Sequence, residues 1–238
     1  PRICDDRPMA TSPTVLTLAP GEQPETELEV RRSRFLARAA RTDTEQDARA
    51  FITSVRAAYP DARHHCSALV VPGPSGLGAP TTERSSDDGE PAGTAGQPML
   101  EVLRASTLVG ATVVVTRYFG GVLLGTGGLV RAYSQATSQV LAAARRVRLA
   151  TRFLWDLRVP VAQAGRLESE LRRLCAGTQG PCPASVEETV WGPTHAVLTL
   201  STTQDDGGTL PEIVSSLTGG TALLEAAGSR LTELPVPQ

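Results

Sequence analysis

Apolar and polar positions alternate or recur along most of this chain, and the period shows which element each stretch forms. Leu28 to Arg32 and Phe35 to Ala40 read as two short strands on either side of Arg32-Ser-Arg34. Thr42-Asp-Thr-Glu45 follows, with Asp43 or Thr44 as the candidate helix cap. Ala48, Phe51, Ile52 and Val55 then recur at helical spacing, so a helix is predicted to about Ala58, stopped by Pro60. Ser67 to Val71 is a strand. Residues 72–96, rich in Gly, Pro, Ser, Thr and acids, read as one long loop. A short helix is expected after Pro98, and Ala111 to Thr116 is a β-branched strand. Five glycines between 120 and 128 make a turn, and a helix from about Leu129 to Arg146 follows.

The pattern then restarts. Phe153 to Pro160 is a strand, and Ala162 to Cys175 is amphipathic, with Leu167, Leu171 and Leu174 inward. Ser185 to Trp191 and His195 to Ser201 are strands joined at Gly192-Pro193. Asp205-Asp-Gly-Gly208 leads into a helix to about Leu217, and Ala222 to Ala227 is the last strand. This β-α-β-β-α-β order is that of a ferredoxin-like fold. The expected organisation is a disordered, proline-rich lead-in over 1–24, an N-terminal domain over 25–148 and a C-terminal domain over 152–230.

Composition narrows the function classes. Apolar residues make up 40% of the chain, enough for a core, but aromatics only 4%, so aliphatic side chains must fill it. The net charge of −2 argues against a globally basic nucleic-acid binder. All 23 basic residues are arginine, which favours bidentate contacts to anions. Residues 1–150 hold 17 Arg and 15 Asp/Glu, or +2, whereas 151–238 hold 6 Arg and 10 Asp/Glu, or −4. An anion site therefore belongs to the first part. The four cysteines lack zinc spacing and read as reduced thiols, although Cys175 and Cys182 are spaced to pair. No run of apolar residues is long enough for a membrane span, and no signal peptide is visible, so the expected location is the cytoplasm.

Four constellations carry candidate chemistry. In the glycine turn, Gly120, Gly121, Gly125, Thr126, Gly127 and Gly128, flanked by Arg117 and Arg131, sit between a strand and a helix start, where backbone N–H groups can face an anion. The alternative is that the glycines serve tight turns and close packing. A P-loop is excluded because the chain has no lysine, and the glycine spacing fits no dinucleotide fingerprint, so no cofactor is expected. In the loop Glu83 to Gly96, Asp87, Asp88 and Glu90 could hold a hard cation or act as acid and base, or lie in a solvated, salt-bridged loop. Within Arg63-His-His-Cys66, His64 and Cys66 share a strand face, and a structural or ligand-contacting role is expected. Arg32, Arg34 and Arg38 share strand parity, making either a phosphate-facing stripe or a charged, solvated edge.

Arg32-Ser-Arg-Phe-Leu36, Asp61-Ala-Arg-His-His-Cys66, Glu83 to Gly96 and Thr116 to Ser134 together resemble the IMPACT/YigZ family, over roughly residues 28–142. This chain departs from the family in Arg32, where lysine is usual, and in His65, where Asn is common. The resemblance implies an α+β protein: a ribosomal-protein-S5-domain-2-like N-terminal domain and a ferredoxin-like C-terminal domain similar to the last domain of elongation factor G. Eukaryotic relatives also carry an RWD domain and restrain a starvation-responsive translation-initiation kinase; this chain has no room for that domain, so that role is not expected to transfer. The expected function is a non-enzymatic, translation-linked regulatory binding protein. RNA, the ribosome or a nucleotide-like anion would meet the N-terminal domain, and a protein partner would meet the acidic C-terminal one. The competing expectation is a hydrolase or transferase acting on a phosphorylated or peptide-like small molecule.

Overall fold

The run Ala111-Thr-Val-Val-Val-Thr116 is buried at every position, which requires a strand covered on both faces. In the computed structural model this is β6 (Ala111–Tyr118), the centre of a five-stranded sheet. The structure describes residues 14–73, 80–175, 184–205 and 207–236. The chain divides into two compact units, whose main segments are Val15–Arg148 and Leu149–Glu233. It is a mixed α/β protein with two sheets and, among the described residues, five helices.

In the first unit the sheet order is β2 (Thr26–Val30), β3 (Ser33–Arg41), β6, β4 (His64–Val71) and β5 (Thr82–Ser86). All four pairings are antiparallel. Phe35, Ala37 and Ala39 of β3, Cys66, Ala68 and Val70 of β4, and Ala111, Val113 and Val115 of β6 project from one face. They pack against Met99, Leu100 and Leu103 of α2 (Gly96–Ala105) and Leu129, Tyr133, Ala136 and Val140 of α3 (Thr126–Ala143). On the opposite face, Leu69 and Val71 meet Ala48 and Ile52 of α1 (Glu45–Ala58). Thr44 caps α1 in a capping box: its hydroxyl accepts the Asp47 N–H at 3.1 Å, and the Asp47 carboxylate accepts the Thr44 N–H at 3.1 Å.

The second unit runs β7 (Arg146–Pro160), α4 (Val161–Leu174), β8 (Ala184–Trp191), β9 (His195–Thr202), α5 (Leu210–Thr218) and β10 (Leu224–Pro235). In its sheet β7 lies between β10 and β9, and β8 lies beyond β9. Leu157, Leu198 and Leu200 from the sheet pack against Leu167 and Leu171 of α4 and Leu210 and Val214 of α5.

Four expectations need correction. Residues 14–24 are ordered rather than a disordered lead-in. β1 (Val15–Leu18) buries Leu18, and buried Gln23 donates to the Ala19 carbonyl at 2.6 Å and accepts the Arg145 N–H at 2.9 Å. The prolines there concealed a Leu-Thr-Leu alternation. Residues 72–96 are not a single loop, because they contain β5. That strand is polar because it is an edge, and it carries no hydrophobic signature. α3 ends at Ala143, not Arg146: Ala144 is extended, and Arg146 opens β7 while its guanidinium still donates to the Leu141 carbonyl at 3.0 Å. β10 continues well past Ala227. Cys4 and Cys182 lie outside the described residues, so the possible Cys175–Cys182 pair does too.

Replacing Thr44 by Ala removes the cap of α1 and should destabilise the protein by about 1 kcal/mol, read as a lower urea midpoint. An unchanged midpoint would show that the capping box contributes nothing.

Candidate ligand-binding surface

Two hairpin residues hold one corner of the site. Val30 pairs with Ser33, so Arg31 and Arg32 form a two-residue turn, with φ of 48° and 66°. Such turns need positive φ at both positions and are normally built from Asn and Gly. Here two exposed arginines adopt it. Gly120 packs directly on this turn: a Cβ there would lie 2.0 Å from the Arg32 carbonyl carbon. The Gly120 N–H donates to the buried Ser33 hydroxyl at 3.2 Å. The glycine turn and the arginine turn are therefore one surface. Arg32 lies at its tip rather than on a strand, so the expected stripe of Arg32, Arg34 and Arg38 does not form. Arg34 pairs with Glu27, and Arg38 with Glu22 and Glu25.

Beyond Gly120 the chain passes through Gly121 (φ 81°) and Gly125 (φ 72°) into α3. Gly125 is the N-cap and offers no side chain, and no acid lies in the first turn. The first helical bond runs from the Leu129 N–H to the Gly125 carbonyl, so the N–H groups of Thr126, Gly127 and Gly128 have no acceptor inside the helix. Thr126 and Gly127 are exposed, and Gly127 has open space beside it; Gly128 packs against Leu124. Arg131 is exposed on the second turn of α3. Arg31, Arg32, Arg63 and Arg131 have no ion-pair partner among the described residues.

The acidic loop does fold toward the glycine turn, but its carboxylates are occupied. Glu90 is buried and accepts from the Arg117 guanidinium at 2.6 Å and the Tyr133 hydroxyl at 2.8 Å. Arg117 is also buried, with its Nη2 donating to Ser33 at 3.4 Å. Its guanidinium lies 5.5 Å from the Phe35 ring centre and 5.7 Å from that of Phe119. Asp87 accepts the N–H groups of Gly93, Ala95 and Gly96 at 2.8, 3.0 and 2.8 Å. Asp88, at φ 43°, accepts from the His65 N–H at 2.6 Å and from Arg56. Burial opposes ionisation of both aspartates. The backbone donors at Asp87, and Arg56 and the His65 N–H at Asp88, outweigh it and hold both pKa values below 3.8. Among the described residues no cluster of three or more His, Cys, Asp or Glu side chains could hold a metal ion.

The Cys66 thiol lies 2.9 Å from the Asp87 carbonyl and 3.3 Å from the Tyr133 hydroxyl. Burial pushes its pKa up to about 12, so it stays a neutral thiol. His64, two residues before Cys66 on β4, meets the adjacent carbonyl of the same loop. Its Nδ1 is 2.9 Å from the Asp88 carbonyl, which can only accept, so Nδ1 carries a proton and donates there. His64 lines a cleft of about 470 Å³ together with Asp61, Arg63, Arg117, Tyr118, Phe119 and Leu123.

Sequence reasoning missed Asp61, Arg63, Tyr118, Phe119 and Leu123 as site residues. The available signal was an aromatic pair and an apolar run set inside a glycine turn, where packing needs neither. Phe119 is 56% exposed and Leu123 81%.

A family model described as the Impact N-terminal domain matches residues 31–141. The IMPACT family member YvyE of Bacillus subtilis (strain 168) is 39% identical over 151 residues, 63% of this chain and 67% of that protein. The chain belongs to the IMPACT family. The family member YigZ of Escherichia coli (strain K12) is 53% identical over 116 residues, 48% of this chain and 54% of that protein. The match thus spans about half the length of YigZ. A crystal structure of a hypothetical protein is 33% identical, covers 90% of this IMPACT chain and 97% of its own, and superposes with a TM-score of 0.54.

Two outcomes test the buried network. Glu90→Gln leaves the Arg117 cation unpaired in the interior and should destabilise the protein by about 3–5 kcal/mol in urea unfolding, whereas the double variant Glu90→Leu/Arg117→Met should recover most of that loss. A double variant no more stable than Glu90→Gln would show that the unpaired Arg117 charge is not the source of the loss. The aspartates give a pH dependence. A carboxylate whose folded pKa is depressed contributes stability that is complete above its unfolded value. That contribution is lost as pH falls through the folded value. Stability should therefore drop as pH falls below 3.8, and Asp87→Asn should flatten that drop in acid titrations followed by circular dichroism.

Proposed function

We propose that this IMPACT family member is a translation-linked regulatory binding protein, and that its first unit holds RNA through the phosphate backbone. The link to translation rests on the family resemblance in the sequence. The observation that carries RNA binding is the convergence of unpaired cations and unpaired N–H groups on one surface. Arg31 and Arg32 sit on the turn against Gly120, the open start of α3 follows, and Arg131 projects from its second turn. Arginine forks and helix N-termini both favour phosphate. Phe119 supplies the exposed aromatic ring on which a base can stack.

The alternative of a hydrolase or transferase has less support. Asp87, Asp88 and Glu90 spend their lone pairs on internal donors, and Cys66 is a protonated thiol. For the folds, the order β10-β7-β9-β8 in the second unit supports the ferredoxin-like reading, since it is the order 4-1-3-2 in chain numbering. The five-stranded sheet of the first unit is assigned to the ribosomal-protein-S5-domain-2-like fold on the family resemblance alone. A protein partner would meet the second unit, where Val190 and Trp191 at the end of β8 are more than half exposed.

Fluorescence anisotropy with labelled single-stranded RNA at two salt concentrations tests the reading. Arg32→Ala/Arg131→Ala should weaken binding at least about tenfold and flatten the slope of log K against log salt by about 0.7 per arginine removed. Equal affinity and equal slope in wild type and variant would rule the surface out.

A further inference from the structure

We infer that the cleft beside the glycine turn is a pocket for one unpaired guanine nucleotide. The inference rests on the RNA reading above and sharpens it from backbone contact to base selection. The pocket has about 470 Å³, within the range of small-ligand sites and large enough for one nucleotide. Its walls differ in chemistry. Phe119 offers a ring whose one side is occupied by the Arg117 guanidinium at 5.7 Å while 56% of the residue stays exposed, so a base can stack on the other side. Leu123, 81% exposed, extends that apolar wall.

Asp61 is the group that selects. The Tyr118 hydroxyl donates to its Oδ1 at 2.8 Å, which ties this exposed carboxylate to the end of β6, and its other oxygen has no partner among the described residues. A carboxylate only accepts hydrogen bonds. Among the four RNA bases, only guanine presents two adjacent donors, N1–H and the N2 amino group, that match a carboxylate side by side. Adenine and cytosine set a ring acceptor next to their amino group, and uracil has a single N–H between two carbonyls. Facing Asp61, each of these leaves an acceptor against an acceptor. Arg63, exposed and without an ion-pair partner, is placed for the phosphate. His64 lines the same cleft, its ring held by Nδ1 on the Asp88 carbonyl.

Isothermal titration of the full chain with GMP, AMP and guanosine tests this. GMP should bind at least about tenfold more tightly than AMP, the discrimination expected of one bidentate pair. Asp61→Asn keeps an acceptor for Tyr118 but puts an amino donor toward the base, and should bring the GMP-to-AMP ratio to about one. Phe119→Ala should weaken both nucleotides alike. Arg63→Ala should weaken GMP and leave guanosine unchanged. Equal binding of GMP and AMP by the wild type, or an unchanged ratio in Asp61→Asn, overturns the inference. A second arm compares a labelled uridine oligomer with the same oligomer carrying one guanine. Tight and equal binding of both overturns the guanine pocket and leaves RNA binding standing. GMP bound with the expected selectivity and neither oligomer bound supports the pocket as a mononucleotide site and overturns the RNA reading.

Discussion

Burying an ionised pair is tolerable only where further hydrogen bonds support it, and the first unit is arranged around such a pair, in which the Arg117 Nε alone of the guanidinium nitrogens lacks a partner among the described residues. Arg117 comes from the central strand, Glu90 from the acidic loop, and the Tyr133 hydroxyl on α3 donates to the same carboxylate oxygen. Desolvating the two charges costs several kcal/mol each, and the mutual attraction offsets that only with good geometry and further hydrogen bonds. The Phe35 ring packs edge-on against Tyr133 at 5.2 Å and lies under the Arg117 guanidinium, so the charge sits in an aromatic frame. Three segments distant in sequence are thereby fixed against each other. The glycine turn begins three residues after Arg117, and its position follows from that anchor.

A division of labour among the arginines results. Those inside or along the sheet, such as Arg117, Arg34 and Arg38, meet carboxylates of their own chain. Those at the turn and the helix start do not. The acidic loop is a structural brace: Asp87 closes a turn through three backbone N–H groups, and Asp88 joins α1 to β4 through Arg56 and the His65 N–H. Its crowd of acids looks like catalytic or metal chemistry in one dimension and serves backbone satisfaction in three.

Much of the fold was legible because period and burial agree. The helical spacing of Ala48, Phe51, Ile52 and Val55, the β-branched run of β6 and the restart of the pattern in the second unit each mark an element. β1 and β5 were not legible: one is four residues long among prolines, and the other is a polar edge held by hydrogen bonding to β4 and by the ion pairs Arg84–Glu45 and Glu83–Arg104. The glycine turn stood out in the sequence as a candidate, and the structure leaves Arg32 and Arg131 exposed beside it. What sequence could not show is which charges cancel. Glu90 and Arg117 are 27 positions apart, and nothing in their local context separates a ligand-facing arginine from a buried one. Phe119 was hidden for the opposite reason, since an aromatic residue beside a β-strand is ordinarily assigned to the core.

The Arg31-Arg32 turn trades backbone comfort for charge. Two side-chain-bearing residues hold a left-handed backbone that Asn-Gly would adopt with less strain. Asn-Gly would make the hairpin more stable and also remove two cations from the corner of the site. The turn is therefore a place where thermal robustness and charge pull in opposite directions. Stabilising the hairpin by that route would produce a hardier protein with two fewer surface cations, and a screen for heat resistance alone would select against the charge this turn carries.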